Sequence, residues 1–413
     1  MEEYGNLEKI INETIQRTLS TKNLNLILFV QQMEKEFTRL GFRQPAKGAL
    51  KNILVVRVDA VGDFILTSAA LRELRLNYPG AYITLVVSKI VYPMAELCPY
   101  VNEVLPFDKN FDKNNFIETM RHVLEFSKNY LWKRHYDISF DFVADWLHMS
   151  LSYLSGAAER FGYFFEPGNQ LSMRKILFNH STFLDHDKFI HSCERNLYLL
   201  QHFGLNIRST GIEVWFSGKD VYQAKNIIKD FAPSRLKIAV GIGATVPERK
   251  YPVEKYLVAF KKIIKKGAAI IILGGPSEVD DAKFLEDNLQ KKFVKNVVKV
   301  QPSWRITAAI ISQTDIYLGN DTGTQHVAAA LKKPVIVLSR DSKDHERTMG
   351  KYCEHIGFYP YQTKSVVIMP EHSLGDCAKD LTSNCRAGKS HCIAQIEPAE
   401  IVDAYEKMLK FVK

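Results

Sequence analysis

One stretch narrows the folds open to this chain more than any other: Asp315-Ile-Tyr-Leu-Gly-Asn-Asp-Thr-Gly-Thr-Gln-His-Val-Ala-Ala-Ala-Leu331. It reads as a buried strand, a tight polar turn and a helix that begins with small residues. The run Ala328-Ala329-Ala330 lets that helix lie close on a sheet, which Pro334-Val-Ile-Val-Leu338 continues. Asp321, Thr322, Gly323 and Thr324 would set backbone N–H groups and hydroxyls at the positive end of a helix opening near Gln325, where a diphosphate can be held. Gly323 lets the backbone come close, and His326 sits one turn into the helix. The pattern predicts nucleotide binding.

The same strand–turn–helix unit recurs along the chain. Ile53-Leu-Val-Val-Arg-Val58 is a buried parallel-type strand, Asp59-Ala-Val-Gly-Asp63 a turn, and a helix from Phe64 to Asn77 leads past Pro79-Gly80 to the strand Tyr82–Val87. Strands at Glu103–Phe107 and Tyr136–Phe142 and helices across Phe116–Lys133, Leu147–Leu154 and Glu194–Gly204 extend the series. A helix across Val221–Phe231 precedes a second series. It has strands at Lys237–Gly241, Ala269–Leu273 and Val297–Val300, with helices after Pro252, from Ser277 and from Ile306. Such alternation predicts an α/β protein with two doubly wound, Rossmann-like sheets, whose ligands sit beyond the carboxyl ends of the strands. A length of 413 residues also favours two domains, expected at 49–216 and 217–413, after a helical N-terminal extension at 1–48. In that extension Leu7, Ile10, Ile11, Thr14 and Ile15 share one face, and a second apolar cluster spans Leu24–Val30. These stripes are short and lack strongly basic flanks, so a helical arm packed on the next domain is favoured over a membrane-surface helix.

Composition excludes several classes. Apolar residues at 46% and charged residues at 24% suit a folded globular chain. Lys plus Arg exceed Asp plus Glu by 55 to 46, a net charge of +9, which suits anionic ligands such as nucleotide phosphates, a phosphorylated glycolipid or an anionic membrane surface. Nucleic acid is disfavoured because the excess is scattered, with Lys261–Lys266 and Lys291–Lys299 reading as exposed helix faces. The start Met1-Glu-Glu-Tyr-Gly has neither the basic opening nor the apolar core of a signal peptide, and no apolar run reaches membrane-spanning length; a cytoplasmic location is expected. Six cysteines in so long a chain do not form a disulfide framework. Cys377, Cys385 and Cys392, with Cys353 or His391, contain no Cys-x-x-Cys pair, and Asp185-His-Asp187 has no evident third ligand, so no metal or cofactor is expected.

Four turns fall at strand ends and hold the candidate chemistry. Asp63 follows a glycine and opens a helix, where a carboxylate either caps the N-terminus or takes a proton from an attacking hydroxyl. Arg249 and Lys250, in the loop that runs from Gly241 to Pro252, are either solvated loop charges or cations that neutralise a departing diphosphate. Glu278, after Gly274-Gly275-Pro276, is either a cap or a partner for a ribose. Asn320-Asp-Thr-Gly-Thr324 is the fourth turn.

Two of these stretches resemble one family. Arg57-Val-Asp-Ala-Val-Gly-Asp-Phe-Ile-Leu-Thr-Ser-Ala-Ala-Leu-Arg-Glu-Leu-Arg75 is similar to the opening strand and helix of the heptosyltransferases (glycosyltransferase family 9), bacterial enzymes of lipopolysaccharide core assembly, and Gly319–Leu331 is similar to their donor-site motif. Weaker similarities lie at Tyr136–Asp141, Arg160–Tyr163, His191–Leu197 and Cys385–Pro398. The resemblance implies a GT-B fold with two Rossmann-like domains facing across a cleft, the first binding the acceptor and the second a nucleotide-diphosphate sugar, usually ADP-heptose. It implies inverting, metal-independent transfer onto a glycolipid or oligosaccharide, with peripheral contact at the cytoplasmic face of the inner membrane. By position, Asp63 would be the catalytic base and Asp321 would contact the sugar. Thr322, Gly323 and Thr324 would hold the diphosphate with His326 and Thr245 nearby, and Glu278 would meet the ribose. Many members carry Lys-x-Trp-Pro where this chain has Arg249-Lys250-Tyr251-Pro252, and Phe-Gly-Pro-Thr where it has Leu338-Ser-Arg-Asp341. Two other readings suit paired Rossmann-like sheets. One is a dinucleotide-dependent oxidoreductase, against which the first turn lacks Gly-x-Gly-x-x-Gly; the other is a non-catalytic nucleotide-sugar-binding protein, against which Asp63 and Asp321 are intact.

Overall fold

The computed structural model describes residues 4–21, 26–44, 51–112, 115–143, 145–164, 177–184, 191–229, 231–344, 357–374 and 387–412. The Asp185-His-Asp187 turn and Cys353, Cys377 and Cys385 lie outside the described residues. The chain divides into two compact units: Met1–Ala60, Ala69–Phe189 and Arg195–Thr210 form the first, and Val61–Ser68, Ile190–Glu194 and Gly211–Lys413 the second. The helix Val61–Asn77 is thus shared, and its first two turns, which contain Asp63, go with the second unit.

The first unit holds β1 (Asn52–Arg57), β2 (Tyr82–Ser88), β3 (Glu103–Phe107), β4 (Ile138–Asp141), β5 (Glu159–Phe164) and β6 (His180–Phe183). They lie in the order β3-β2-β1-β4-β5-β6, every neighbouring pair parallel. The second unit holds β7 (Leu236–Gly241), β8 (Ala268–Leu273), β9 (Val294–Asn296), β10 (Ile316–Asn320), β11 (Val335–Leu338) and β12 (Ser365–Ile368), again all parallel, ordered β12-β11-β10-β7-β8-β9. Counted from its own first strand, the second sheet repeats the order of the first. In each, the winding direction reverses between the first and fourth strands, the place where doubly wound sheets leave a crevice beyond the strand ends. Residues such as Val55, Val56, Ile270 and Ile271 are fully buried, as expected for parallel strands covered on both faces.

Helices Gly5–Thr21 and Leu26–Arg39 pack on the first sheet's core: Leu7, Ile11, Ile15, Phe29, Met33 and Phe37 are buried in one cluster with Leu54, Val56, Trp132 and Leu154. At about 1.5–3 kcal/mol per buried large side chain, this stripe is a substantial part of the unit's core. A latch follows it. The Arg43 guanidinium donates to Ala157 O at 2.6 Å and Tyr153 O at 3.1 Å, and the Phe42 ring lies so close to Gly156 that a Cβ there would meet it at 2.6 Å.

Some elements differ from expectation. The strand expected at Val297–Val300 is instead β9 at Val294–Asn296, and Val298–Val300 forms a 3-10 turn. The helix expected across Phe116–Lys133 is α-helical only to Phe126; it then widens over Ser127–Leu131 and tightens over Trp132–Arg134, which puts the buried Trp132 indole 2.6 Å from Leu154 O. Among the described residues no helix is long and apolar enough to cross a membrane.

Candidate active site

The loops after β7 and β10 are held together by Asn320, the fully buried last residue of β10. Its Nδ2 donates to Ile242 O at 2.9 Å and Gly243 O at 3.1 Å, while its Oδ1 accepts from the Tyr256 hydroxyl at 3.0 Å and the Tyr251 N–H at 3.3 Å. One amide side chain therefore fixes the loop after β7 and the turn that carries Arg249 and Lys250. Tyr251 is anchored again through its hydroxyl to Ile396 O at 2.9 Å.

Beyond Asn320 the chain turns and starts the helix Gly323–Ala330 with Thr322 at its N-cap, two residues earlier than the sequence predicts. Thr322, Gly323 and Thr324 thus sit where unpaired N–H groups and the helix dipole favour an anion. The Thr322 and Thr324 hydroxyl oxygens are 3.1 Å apart. Gln325, fully buried, donates to both the Asp321 carboxylate and Phe358 O, which steadies Asp321 at the turn. Gln325 Oε1 and His326 Nδ1 are buried with no hydrogen-bond partner among the described residues. Burial, with a smaller contribution from the nearby His191, pushes the His326 pKa down to about 3, so its ring is neutral.

The turn with Asp63 lies beside this helix. A Cβ on Gly323 would be 3.2 Å from Gly62 N, and one on Gly62 would be 2.7 Å from His326 Cδ2 and 3.3 Å from Gly323 Cα, so two glycines let two helix N-termini approach backbone to backbone. Ala60 is the N-cap of Val61–Asn77 and makes no side-chain cap bond; Asp63 is the third helical residue, in the first turn, rather than the cap.

Arg249 is half-buried and closes the 3-10 turn Pro247–Arg249, while Thr245 is exposed in the loop before it. Lys250 is 2.7 Å from Asp281 and 3.4 Å from Glu278. Although partial burial opposes its charge, Asp281 and Glu278 hold its pKa above the ordinary value. Buried Glu278 takes the capping alternative in this structure: Oε2 accepts the Gly275 N–H at 2.9 Å and Oε1 the Ser277 hydroxyl at 2.9 Å. A carboxylate with about four lone-pair sites still has acceptor capacity left.

At the crevice of the first sheet, the sequence reading singled out neither Asp145 nor His148. The Asp145 carboxylate caps Trp146–Leu154 at the His148 N–H, 2.8 Å, and also meets His148 Nδ1 at 2.6 Å. His148 Nε2 faces Asp59 at 3.5 Å and the Val58 N–H at 3.1 Å. Burial disfavours an imidazolium, and the Val58 amide asks for a lone pair, yet Asp59, Asp145 and Asp141 together raise the His148 pKa to about 9. Ligand atoms of Asp59, Asp145 and His148 lie within 4.8 Å of one another, but their mutual pairing accounts for them. Asn320, Tyr251 and Tyr256 were also missed as site supports; the signal was a lone Asn closing an otherwise apolar strand.

The glycosyltransferase family 9 (heptosyltransferase) profile matches residues 131–390. Lipopolysaccharide heptosyltransferase 2 of Salmonella typhimurium is 23% identical over 296 residues, 69% of this chain and 82% of that one. Lipopolysaccharide heptosyltransferase 3 of Escherichia coli is 21% identical over 283 residues, 67% and 79% of the two chains. Among solved structures, a family 9 glycosyl transferase from Veillonella parvula is similar with a TM-score of 0.71 at 20% identity, covering 89% of this chain and all of that one. E. coli ADP-heptose lps heptosyltransferase II is similar with a TM-score of 0.65 at 18% identity, covering 87% and 99%. These structures share the two-sheet α/β fold of the GT-B class, and nothing among the relatives favours the oxidoreductase or binding-protein readings. With a profile spanning more than half of its length and both sheets matched, the chain belongs to glycosyltransferase family 9, the heptosyltransferases, and is an enzyme of glycosyl transfer.

Proposed function

We propose that the chain moves a heptose from ADP-heptose to a hydroxyl of a lipopolysaccharide-type glycan, with inversion and without a metal. The observation that carries this reading is the approach of Gly62 to Gly323, which sets the first turn of the Asp63 helix beside the N-terminus of Gly323–Ala330. The acceptor oxygen attacks the anomeric carbon, the bond from that carbon to the diphosphate oxygen breaks, and the acceptor proton passes to Asp63. The helix N-terminus at Thr322–Thr324, with Arg249 and in part Lys250, offsets the charge that develops on ADP. Asp321 contacts the sugar, Glu278 the ribose, and Thr245 and His326 border the phosphates. Residues 49–216 are assigned to the acceptor and 217–413 to the donor, and work on a glycolipid places the enzyme at the cytoplasmic membrane face.

The test is transfer by the purified protein from ADP-heptose and from other ADP-, UDP-, GDP- and CDP-sugars, with and without EDTA, and NMR of the product's anomeric configuration. Inverted product formed in EDTA is expected. Asp63→Asn should lower turnover by about 10²–10⁴-fold while ADP binds within a few-fold of wild type; normal turnover in that variant would falsify the base assignment.

A further inference from the structure

Tyr317 occupies a position where an aliphatic residue would be ordinary: it is fully buried between Ile316 and Leu318 on β10. Its ring lies under the phosphate loop, and its hydroxyl is 2.5 Å from Thr324 Oγ1, which is in turn 3.1 Å from Thr322 Oγ1. Two glycines make the space. Gly241 and Gly319 are register partners on β7 and β10, and a Cβ on either would run into the phenol oxygen, at 2.5 Å for Gly319. A Cβ on Gly241 would also come within 2.9 Å of Thr324 Oγ1. Side-chain volume is thus missing from both central strands at the one place where the phenol reaches the loop.

We propose that Tyr317 is a positioning residue for the donor: its phenol, seated in the slot between Gly241 and Gly319, orders a hydroxyl relay with Thr324 that leaves the Thr322 hydroxyl as a hydrogen-bond donor toward the donor diphosphate. The direction follows from proton accounting. The phenol O–H donates to Thr324 Oγ1, the Thr324 O–H to Thr322 Oγ1, and the Thr322 O–H is left for a phosphate oxygen. The competing acceptor for Thr322, Asn320 O, is a long 3.4 Å away. The reverse order, Thr324 donating to the phenol and the phenol to Thr322 Oγ1, ends on the same free Thr322 O–H. Burial also pushes the Tyr317 pKa up to about 12, against the two threonine hydrogen bonds, so the group keeps its proton at neutral pH. Tyr317 belongs to no site predicted from the sequence, and the inference rests on the donor-site reading above.

Calorimetric titration of ADP, UDP, GDP and CDP, and of the matching nucleosides, into wild type, Tyr317→Phe, Thr324→Val and the double variant tests it. The nucleotide that binds wild type should bind each single variant about 3- to 10-fold more weakly, the worth of one net hydrogen bond. The double variant should be no weaker than the worse single, and the nucleoside, which lacks phosphates, should bind all four proteins alike. Losses that multiply in the double variant, an equal loss for the nucleoside, or wild-type affinity in Tyr317→Phe would each overturn the inference and leave the family reading standing. Wild type that binds none of the four diphosphates would overturn the donor-site reading and the inference with it. If Tyr317→Phe does not fold, wild-type affinity in Thr324→Val decides against the inference alone.

Discussion

The two sheets share one strand order but end in opposite chemistries. Beyond β1 and β4 the crevice is filled by charge, with His148 held between Asp145 and Asp59 and raised to about 9. Beyond β7 and β10 it is lined by glycine, threonine and amide, and its histidine, His326, is lowered to about 3. Charges that satisfy one another lock a loop in place. Hydroxyls and backbone N–H groups at a helix start attract negative charge, which is why the second crevice is the one proposed above to receive the donor diphosphate.

The largest effect expected from challenging this contrast is at Asn320. Asn320→Ala strips partners from Ile242 O, Gly243 O, the Tyr256 hydroxyl and the Tyr251 N–H, and at about 1–3 kcal/mol per unsatisfied buried group it should cost several kcal/mol in denaturant unfolding. Nucleotide binding should fall with it; unchanged unfolding would remove Asn320 as the tie between loops. Gly62→Ala ranks next. Its Cβ must displace His326, an overpacking cost of about 1–3 kcal/mol, and turnover should drop more than ADP affinity. Equal losses in both would count against a role specific to the Asp63 turn.

The two histidines give opposite pH slopes. His326 binds a proton less readily folded than unfolded, where its pKa is 6.5, so its contribution is present above pH 6.5 and is lost as pH falls toward 3. His148 binds one more readily when folded, so its contribution is full below pH 6.5 and is lost as pH rises through about 9. Melting curves measured across pH should separate the two: His326→Gln flattens the acid limb and His148→Gln the alkaline limb. Identical limbs in all three proteins would erase the contrast. Smallest is Lys250→Ala, which removes a partly exposed ion pair worth less than about 1 kcal/mol; a larger loss of nucleotide affinity than of stability would show that Lys250 also serves the diphosphate.

Most of the fold was legible because parallel strands buried on both faces are written as apolar runs: β1, β2, β8 and β11 stand out without help. The strands that escaped are of another kind. β5 begins Glu159-Arg160, and Arg160 is buried because its guanidinium donates to Leu177 O and Ala157 O at 2.7 and 3.0 Å, acceptors that only the folded chain supplies. β6 and β12 are four-residue edge strands, and the Phe293–Val300 stretch offers valines in two phases, so the strand reading slipped three residues. At the site, the turns with Asp63, Arg249, Glu278 and Asp321 were visible as loops at strand ends. What was not visible is how long-range bonds use them: Glu278 engaged with Lys250, 28 positions away, and Asn320 reaching residues 64 to 78 positions away.

The latch at Phe42 and Arg43 has a consequence for how the molecule is born. Arg43 closes on Ala157, 114 residues further along, and Phe42 on Gly156, so the amphipathic leading helices leave the ribosome well before their berth has been synthesised. At about 5–20 residues per second, the greasy stripe from Leu7 to Phe37 is uncovered for on the order of ten seconds. Chaperone cover of this segment during synthesis is the expected consequence, and slowing translation ahead of the Ala157 codon should raise aggregation of the nascent chain.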